Sequence, residues 1–158
     1  MPLTTLHAYL GEVTDLGKLA DAAMAKLDAE RLETLRALLP LSDKDCDIKM
    51  ELSGVQRNLG YMLRVFTSHS LDHYQHLIRL LQARGMKFSE AQLLLMKAQA
   101  AHAEVQALVL SLDDETFSKT GPVEGDWSAA QIVEHLVGAE REYREGIVAA
   151  IEKARAVA

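Results

Sequence analysis

Cysteine, proline and aromatic residues are scarce in this sequence. Its 158 residues include one cysteine and three prolines, and 5% of them are aromatic. A single cysteine, Cys46, excludes an internal disulfide and any CxxC site, and we interpret it as a loop or half-buried thiol. Because proline and glycine are rare while alanine and leucine are abundant, the composition predicts an all-α domain.

Clustered positive charge and long apolar runs are lacking as well. The net charge is -6, which disfavours a nucleic-acid or anionic-membrane partner because phosphate contacts need clustered Lys and Arg. No run approaches the ~18 apolar residues of a transmembrane helix. The N-terminal stretch MPLTTLHAYLGEV has no basic region followed by an apolar block, so we expect no signal peptide and a cytoplasmic location. We expect a small-molecule substrate as the partner, and a homodimer stays an open alternative.

Apolar residues at helical spacing predict a single domain, residues 1–158, that is a four-helix bundle. A hydrophobic content of 49% fits one domain with a sizeable core. No strand-like alternation is evident. The expected helices cover about residues 4–39, 53–83, 89–112 and 128–156.

Serine and glycine mark the ends of these helices. Ser53, Ser89 and Ser128 are predicted N-caps, and the last two have a glutamine three residues later, as in a capping box. Pro40 should end the first helix, and Gly85 is a natural C-terminal cap of the second.

Three histidines interrupt the apolar stripe of the second helix, in the stretch FTSHSLDHYQHLIRL (66–80). His69, His73 and His76 continue the alternating steps of four and three residues that mark a core-facing seam. Burying a polar group without a partner costs about 1–3 kcal/mol, so three imidazoles in register need an explanation. The stripe consists of Val55, Leu59, Met62, Phe66, His69, His73, His76 and Leu80.

The spacing of His69 and His73 predicts a metal site. Side chains at i and i+4 lie on one helix face and can converge on a single ion. His135, in WSAAQIVEHLVGAE of the last helix, is the expected third ligand. Three histidines with open coordination positions are typical of a catalytic site, and imidazole suits Zn, Ni, Cu or Fe. His76 is either an outer partner of these ligands or an alternative ligand.

The depth of the histidines in their helices favours antiparallel packing of the second and fourth helices. His135 lies roughly 10 Å into the last helix, whereas His69 lies roughly 24 Å into a helix that starts at Ser53. Counted from the end near Ala83, His69 and His73 are about 15–21 Å in. His7 and His102 are expected to be less involved.

Two segments resemble the DinB/YfiT-like metalloenzyme family. GDWSAAQIVEHLVGAEREY, with Trp127, Ser128 and His135, looks like its WSxxxxxxHL signature, and SGVQRNLGYMLRVFTSHSLDHYQHL looks like its HxxxH helix. In that family the WS…HL helix comes first, whereas here it comes second. The resemblance covers the chain from about Ser53 onward. It implies a four-helix bundle that holds a divalent metal, often Ni or Zn, on three histidines, here His69, His73 and His135. It also implies a thiol-dependent transferase or isomerase with a bacillithiol- or mycothiol-like cofactor.

The function expected from these residues is a divalent-metal-dependent enzyme that acts on small molecules, with a low-molecular-weight thiol or water as nucleophile. Two alternatives stay open. The same bundle could be a non-catalytic metal- or ligand-binding protein that serves as a homodimeric interaction module. Alternatively, the imidazoles form a metal-free, water-filled polar pocket.

Overall fold

The computed structural model describes residues 17–156, and 73% of this part is helical. The all-α expectation is therefore confirmed at the level of class. The chain consists of two compact units that meet in sequence between Ala98 and Gln99. The elements of the first unit are α1 (Lys18–Leu38), a 3-10 helix (Asp45–Asp47), β1 (Lys49–Leu52), β2 (Val55–Asn58) and α2 (Leu59–Ala83). Helix α3 (Glu90–Leu110) contains the boundary, and α4 (Asp114–Ser118) and α5 (Ala129–Arg155) follow it.

The segment around Ser53 is a β-hairpin, not the start of a helix. β1 pairs antiparallel with β2, with Leu52 opposite Val55. Ser53 and Gly54 form the turn with φ of 53° and 76°, the two positive values of a type I′ turn. The prediction that Ser53 caps the second helix is wrong, and Val55 belongs to a strand rather than to the histidine stripe.

Helix α2 instead begins at Leu59, behind Asn58. The Asn58 side chain accepts a hydrogen bond from the Tyr61 backbone N–H at 2.8 Å. The first turn of α2 rests on the 3-10 helix: Gly60 is buried, and a Cβ at this position would lie 3.2 Å from Cβ of Cys46. A larger residue would force Cys46 to shift by a few tenths of an ångström, so the close approach favours glycine. Cys46 is a free, half-buried thiol, as expected.

The other predicted helix ends agree with the structure. α2 ends in a Schellman motif, with Gly85 at φ 77°, its N–H donating to Gln82 O and the Met86 N–H donating to Leu81 O. Ser89 forms reciprocal capping bonds with Gln92. The first helix ends at Leu38, two residues before Pro40, and its expected beginning, residues 4–16, lies outside the described residues.

Helix α5 of the second unit begins with a complete capping box. The Ser128 hydroxyl accepts from Gln131 N–H at 3.2 Å, and the Gln131 side chain accepts from Ser128 N–H at 2.8 Å. Ser128 is only 4% exposed. Before it lies the short helix α4, which the sequence analysis missed. Asp113 caps α4 by accepting from Thr116 N–H.

The helices carry exposed apolar side chains. Within residues 17–156 no hydrophobic side chain is fully buried. In the first unit, α2 packs on the 3-10 helix and on β2, and in the second unit α4 packs on α5. The packing of the four long helices into one bundle stays a prediction. None of the described helices contains an 18-residue stretch apolar enough to cross a membrane.

Replacing Ser128 with alanine should lower the free energy of unfolding by about 1 kcal/mol, because the first turn of α5 loses its cap. Urea unfolding followed by far-UV circular dichroism measures the change. Ser70 is the matched control: its hydroxyl donates to Phe66 O within α2 and caps nothing. Ser70→Ala should change stability by less than about 0.5 kcal/mol, and equal effects of the two substitutions would contradict the capping role.

Candidate metal site

The histidines of α2 stand on a helix that is fixed at both ends. The Asn58 cap holds its first turn and the Schellman motif at Gly85 closes its last. His69 and His73 lie ten and fourteen residues after Leu59, so both are in the uninterrupted middle of the helix. Side chains there hold their relative positions through the helix backbone alone.

His69 and His73 lie at a separation that suits one shared ion. Their ring centroids are 4.5 Å apart and their planes make an angle of 82°. Imidazole nitrogens bind Zn²⁺ at about 2.0–2.1 Å, so two rings on one ion have centroids roughly 4.5–5.5 Å apart. The i, i+4 pair therefore fits two ligands of one metal ion.

His76 stands farther along the same side of α2. Its ring is stacked on His73 with a centroid distance of 6.4 Å and an interplanar angle of 22°. This distance exceeds the range for two rings on one ion. His73 is thus in ring contact with both of its neighbours, and His76 fits the role of an outer partner better than that of a ligand.

His135 lies in α5 of the second unit, six residues after its first residue. Its ring meets the indole of Trp127, with centroids 5.1 Å apart and an interplanar angle of 68°. From the sequence, Trp127 is known only as part of the WSxxxxxxHL segment. The contact was not predicted, although the capping of α5 by Ser128 was.

The histidines within residues 17–156 are exposed to water. Within residues 17–156, no group of three or more His, Cys, Asp or Glu side chains lies close enough together to hold a metal ion. His69 and His73 are brought together in the first unit, while His135 belongs to the second. The three-histidine site therefore stays a prediction. His102 is exposed on α3, and His7 lies outside the described residues.

Comparisons with protein-family models, with characterised proteins and with solved structures give no match. The likeness to the DinB/YfiT-like family thus depends on the WSxxxxxxHL and HxxxH segments of the sequence.

The His69–His73 pair should bind Ni²⁺ or Zn²⁺ and stabilise the folded chain. A metal concentration one hundred times the dissociation constant adds about 2.7 kcal/mol to the free energy of unfolding, which thermal melting with and without metal measures. His73→Ala should abolish the gain, because it removes the ring that contacts both His69 and His76. His102→Ala is the matched control and should keep the gain. Loss of the gain in His102→Ala would show that the metal binds elsewhere.

Proposed function

We propose that this protein is a metal-dependent enzyme of DinB-like architecture. In this proposal α1, α2, α3 and α5 pack as a four-helix bundle, and His69, His73 and His135 bind one divalent ion, Ni or Zn. The substrate is a small molecule, and the reaction is transfer to, or isomerisation by, a low-molecular-weight thiol.

The ring geometry of His69 and His73 is the observation that supports this proposal best. Two imidazoles at 4.5 Å on a rigid helix already have the separation that a shared ion requires. A third ligand from another helix would complete a catalytic type of site, which keeps coordination positions free for substrate. His135 is the candidate third ligand because it is the histidine of the WSxxxxxxHL segment and because the capping box holds the first turn of its helix.

Burial of apolar surface provides the driving force for the bundle. Phe66 and Leu80 on α2 are each 42% exposed. On α5, Ile132 is 45% exposed and Leu136 is 43% exposed. Each fully buried side chain of this size is worth about 1.5–3 kcal/mol.

The corrected start of α2 changes the expected direction of that packing. With the helix running from Leu59 to Ala83, His69 lies about 15 Å from its first residue and His73 about 15 Å from its last. The pair is centred on the helix. Depth along the axis therefore fits parallel and antiparallel packing equally, and the argument for an antiparallel pair no longer holds.

The chemistry of the proposed site follows from its ligands. A divalent ion on three neutral imidazoles supplies Lewis-acid activation of a thiol or of water at neutral pH. The three histidines hold the ion, and the partner of each second ring nitrogen would fix its orientation. His76 is stacked on His73 and, in this proposal, is an outer partner that helps to orient the His73 ring.

Nickel titration tests whether His135 shares the ion. Trp127 is the one tryptophan of the chain, and its ring lies against His135. Paramagnetic Ni²⁺ on His135 should quench Trp127 fluorescence, with saturation at about one ion per chain. His135→Ala should lose the quenching. His69→Ala should lose it as well if one ion is shared, while His76→Ala should retain it.

Metal content of the untagged protein complements this titration. Ni or Zn at about one equivalent, lost in His69→Ala and in His135→Ala, is the expected result. Quenching that persists in His69→Ala would contradict a shared site.

Conjugation of a low-molecular-weight thiol to monobromobimane, catalysed by the parent and not by His73→Ala, would distinguish an enzyme from a metal-binding protein.

The second candidate function, a homodimeric interaction module, is favoured by the composition of α3. Leu93, Leu94, Leu95 and Met96 are consecutive, so they spread around about 300° of the helix. Leu94 and Leu95 are 60% and 69% exposed. One bundle buries only a stripe of a helix, so apolar residues of α3 remain for a second copy of the chain.

Leu95→Glu should halve the mass measured by sedimentation equilibrium at micromolar concentration if α3 forms the dimer interface. A carboxylate in an apolar interface is costly because it loses its hydration and gains no charged or hydrogen-bonding partner in return. Lys97→Glu, an exposed position two residues along, is the control and should leave the mass unchanged. A monomeric parent protein would refute the module.

A further inference from the structure

A cleft of about 370 Å³ lies within the first unit, apart from the histidines. The C-terminal half of α1 and the first half of α2 form its walls, and the segment 39–46 closes one end. Its apolar lining includes Leu35, Leu38, Leu63 and Phe66. The three leucines are half-buried, whereas Phe66 is 42% exposed.

The closing segment is held in place by specific contacts. Ser42 donates its N–H and its hydroxyl to one Asp45 carboxylate oxygen, each at 2.7 Å. These bonds lower the pKa of Asp45, first through the Ser42 side chain and then through its backbone. Cys46 packs on Gly60 at the start of α2. The segment that closes the cleft is therefore held by hydrogen bonds and by packing against α2.

Arg31 gives the cleft one cation. Its guanidinium lies over the Phe66 ring, 5.5 Å from the centroid, a cation–π contact that uses the face of the group and leaves its N–H donors at the edge. Within residues 17–156, Arg31 forms no salt bridge, whereas Arg36 on the same helix pairs with Glu33 at 3.3 Å. Asp43 is the only acidic side chain in the lining.

We propose that this cleft binds a small monocarboxylate with an apolar tail. A carboxylate matches the guanidinium, which can donate two parallel hydrogen bonds to it. The leucines and Phe66 would cover the tail. The volume lies at the lower end of the range for small-molecule sites, which suits a tail of about six to ten carbons.

The charges of the cleft disfavour a more highly charged ligand. One guanidinium neutralises one negative charge, and Asp43 would repel a phosphate ester or a dicarboxylate. The chain as a whole carries a net charge of -6, so long-range attraction does not assist anions. A monoanion whose binding depends largely on apolar contact fits these conditions. No histidine lines the cleft.

Cys46 allows a direct test with octanoate as the probe. It is the only cysteine of the chain and lines the cleft, so its alkylation by iodoacetamide reports on occupancy. Octanoate should slow the alkylation of the parent protein, with a saturable dependence on concentration. Arg31→Gln should weaken this protection about tenfold, because a charge-assisted hydrogen bond is lost. Arg31→Lys should retain part of it.

Two controls make the outcome decisive. Arg36→Gln removes an arginine that does not line the cleft and should leave protection unchanged, and octanol supplies the tail without the charge. Circular dichroism establishes that Arg31→Gln keeps its helices. Absence of protection in the parent, equal protection by octanol, or an equal loss in Arg36→Gln would each overturn the proposal.

Discussion

The histidines of α2 share a helix face with its apolar side chains, and this constraint links the fold to the proposed chemistry. Phe66, His69, His73 and Leu80 follow one another in steps of three, four and seven residues, so they lie along one line on the helix. A helix packed over both Phe66 and Leu80 would also cover the two imidazoles between them. Buried imidazoles need partners, and a metal ion satisfies two of them at once. In this view metal binding and packing of α2 support each other.

In the structure of residues 17–156, neither the histidines of α2 nor the apolar residues beside them are buried by another helix. All three histidines of α2 are exposed, and the apolar residues beside them are only partly covered. The pair geometry of His69 and His73 exists already at the level of a single helix, because it depends on helical spacing alone. The third ligand depends on packing between helices. Consequently, two of the three proposed ligands are positioned by local structure, and the third requires the bundle.

Local signals explain which parts of the fold could be predicted from the sequence. Ser89 with Gln92 and Ser128 with Gln131 are capping boxes in the structure, as their spacing indicates. Ser53 with Gln56 has the same spacing but fails as a cap. The difference is Gly54: a Ser-Gly pair favours a two-residue hairpin turn with positive φ, and the flanking strands KMEL and VQRN pair across it. The Trp127–His135 contact and the cleft could not be predicted, since both depend on how side chains meet beyond one helix turn.

Helix α2 also connects the cleft with the proposed metal site. Phe66 and Thr67 line the cleft, and His69 follows Thr67 by two residues. Phe66 and His69 are neighbours at i and i+3 on the helix surface. The first turn of α2 is fixed by Gly60 against Cys46, so the rotation of the helix about its axis is set at the cleft end. That rotation decides which direction His69 and His73 face. The packing of α2 on the 3-10 helix therefore sets the direction of the cleft wall that Phe66 and Thr67 form and, along the same helix, the direction of the His69–His73 pair.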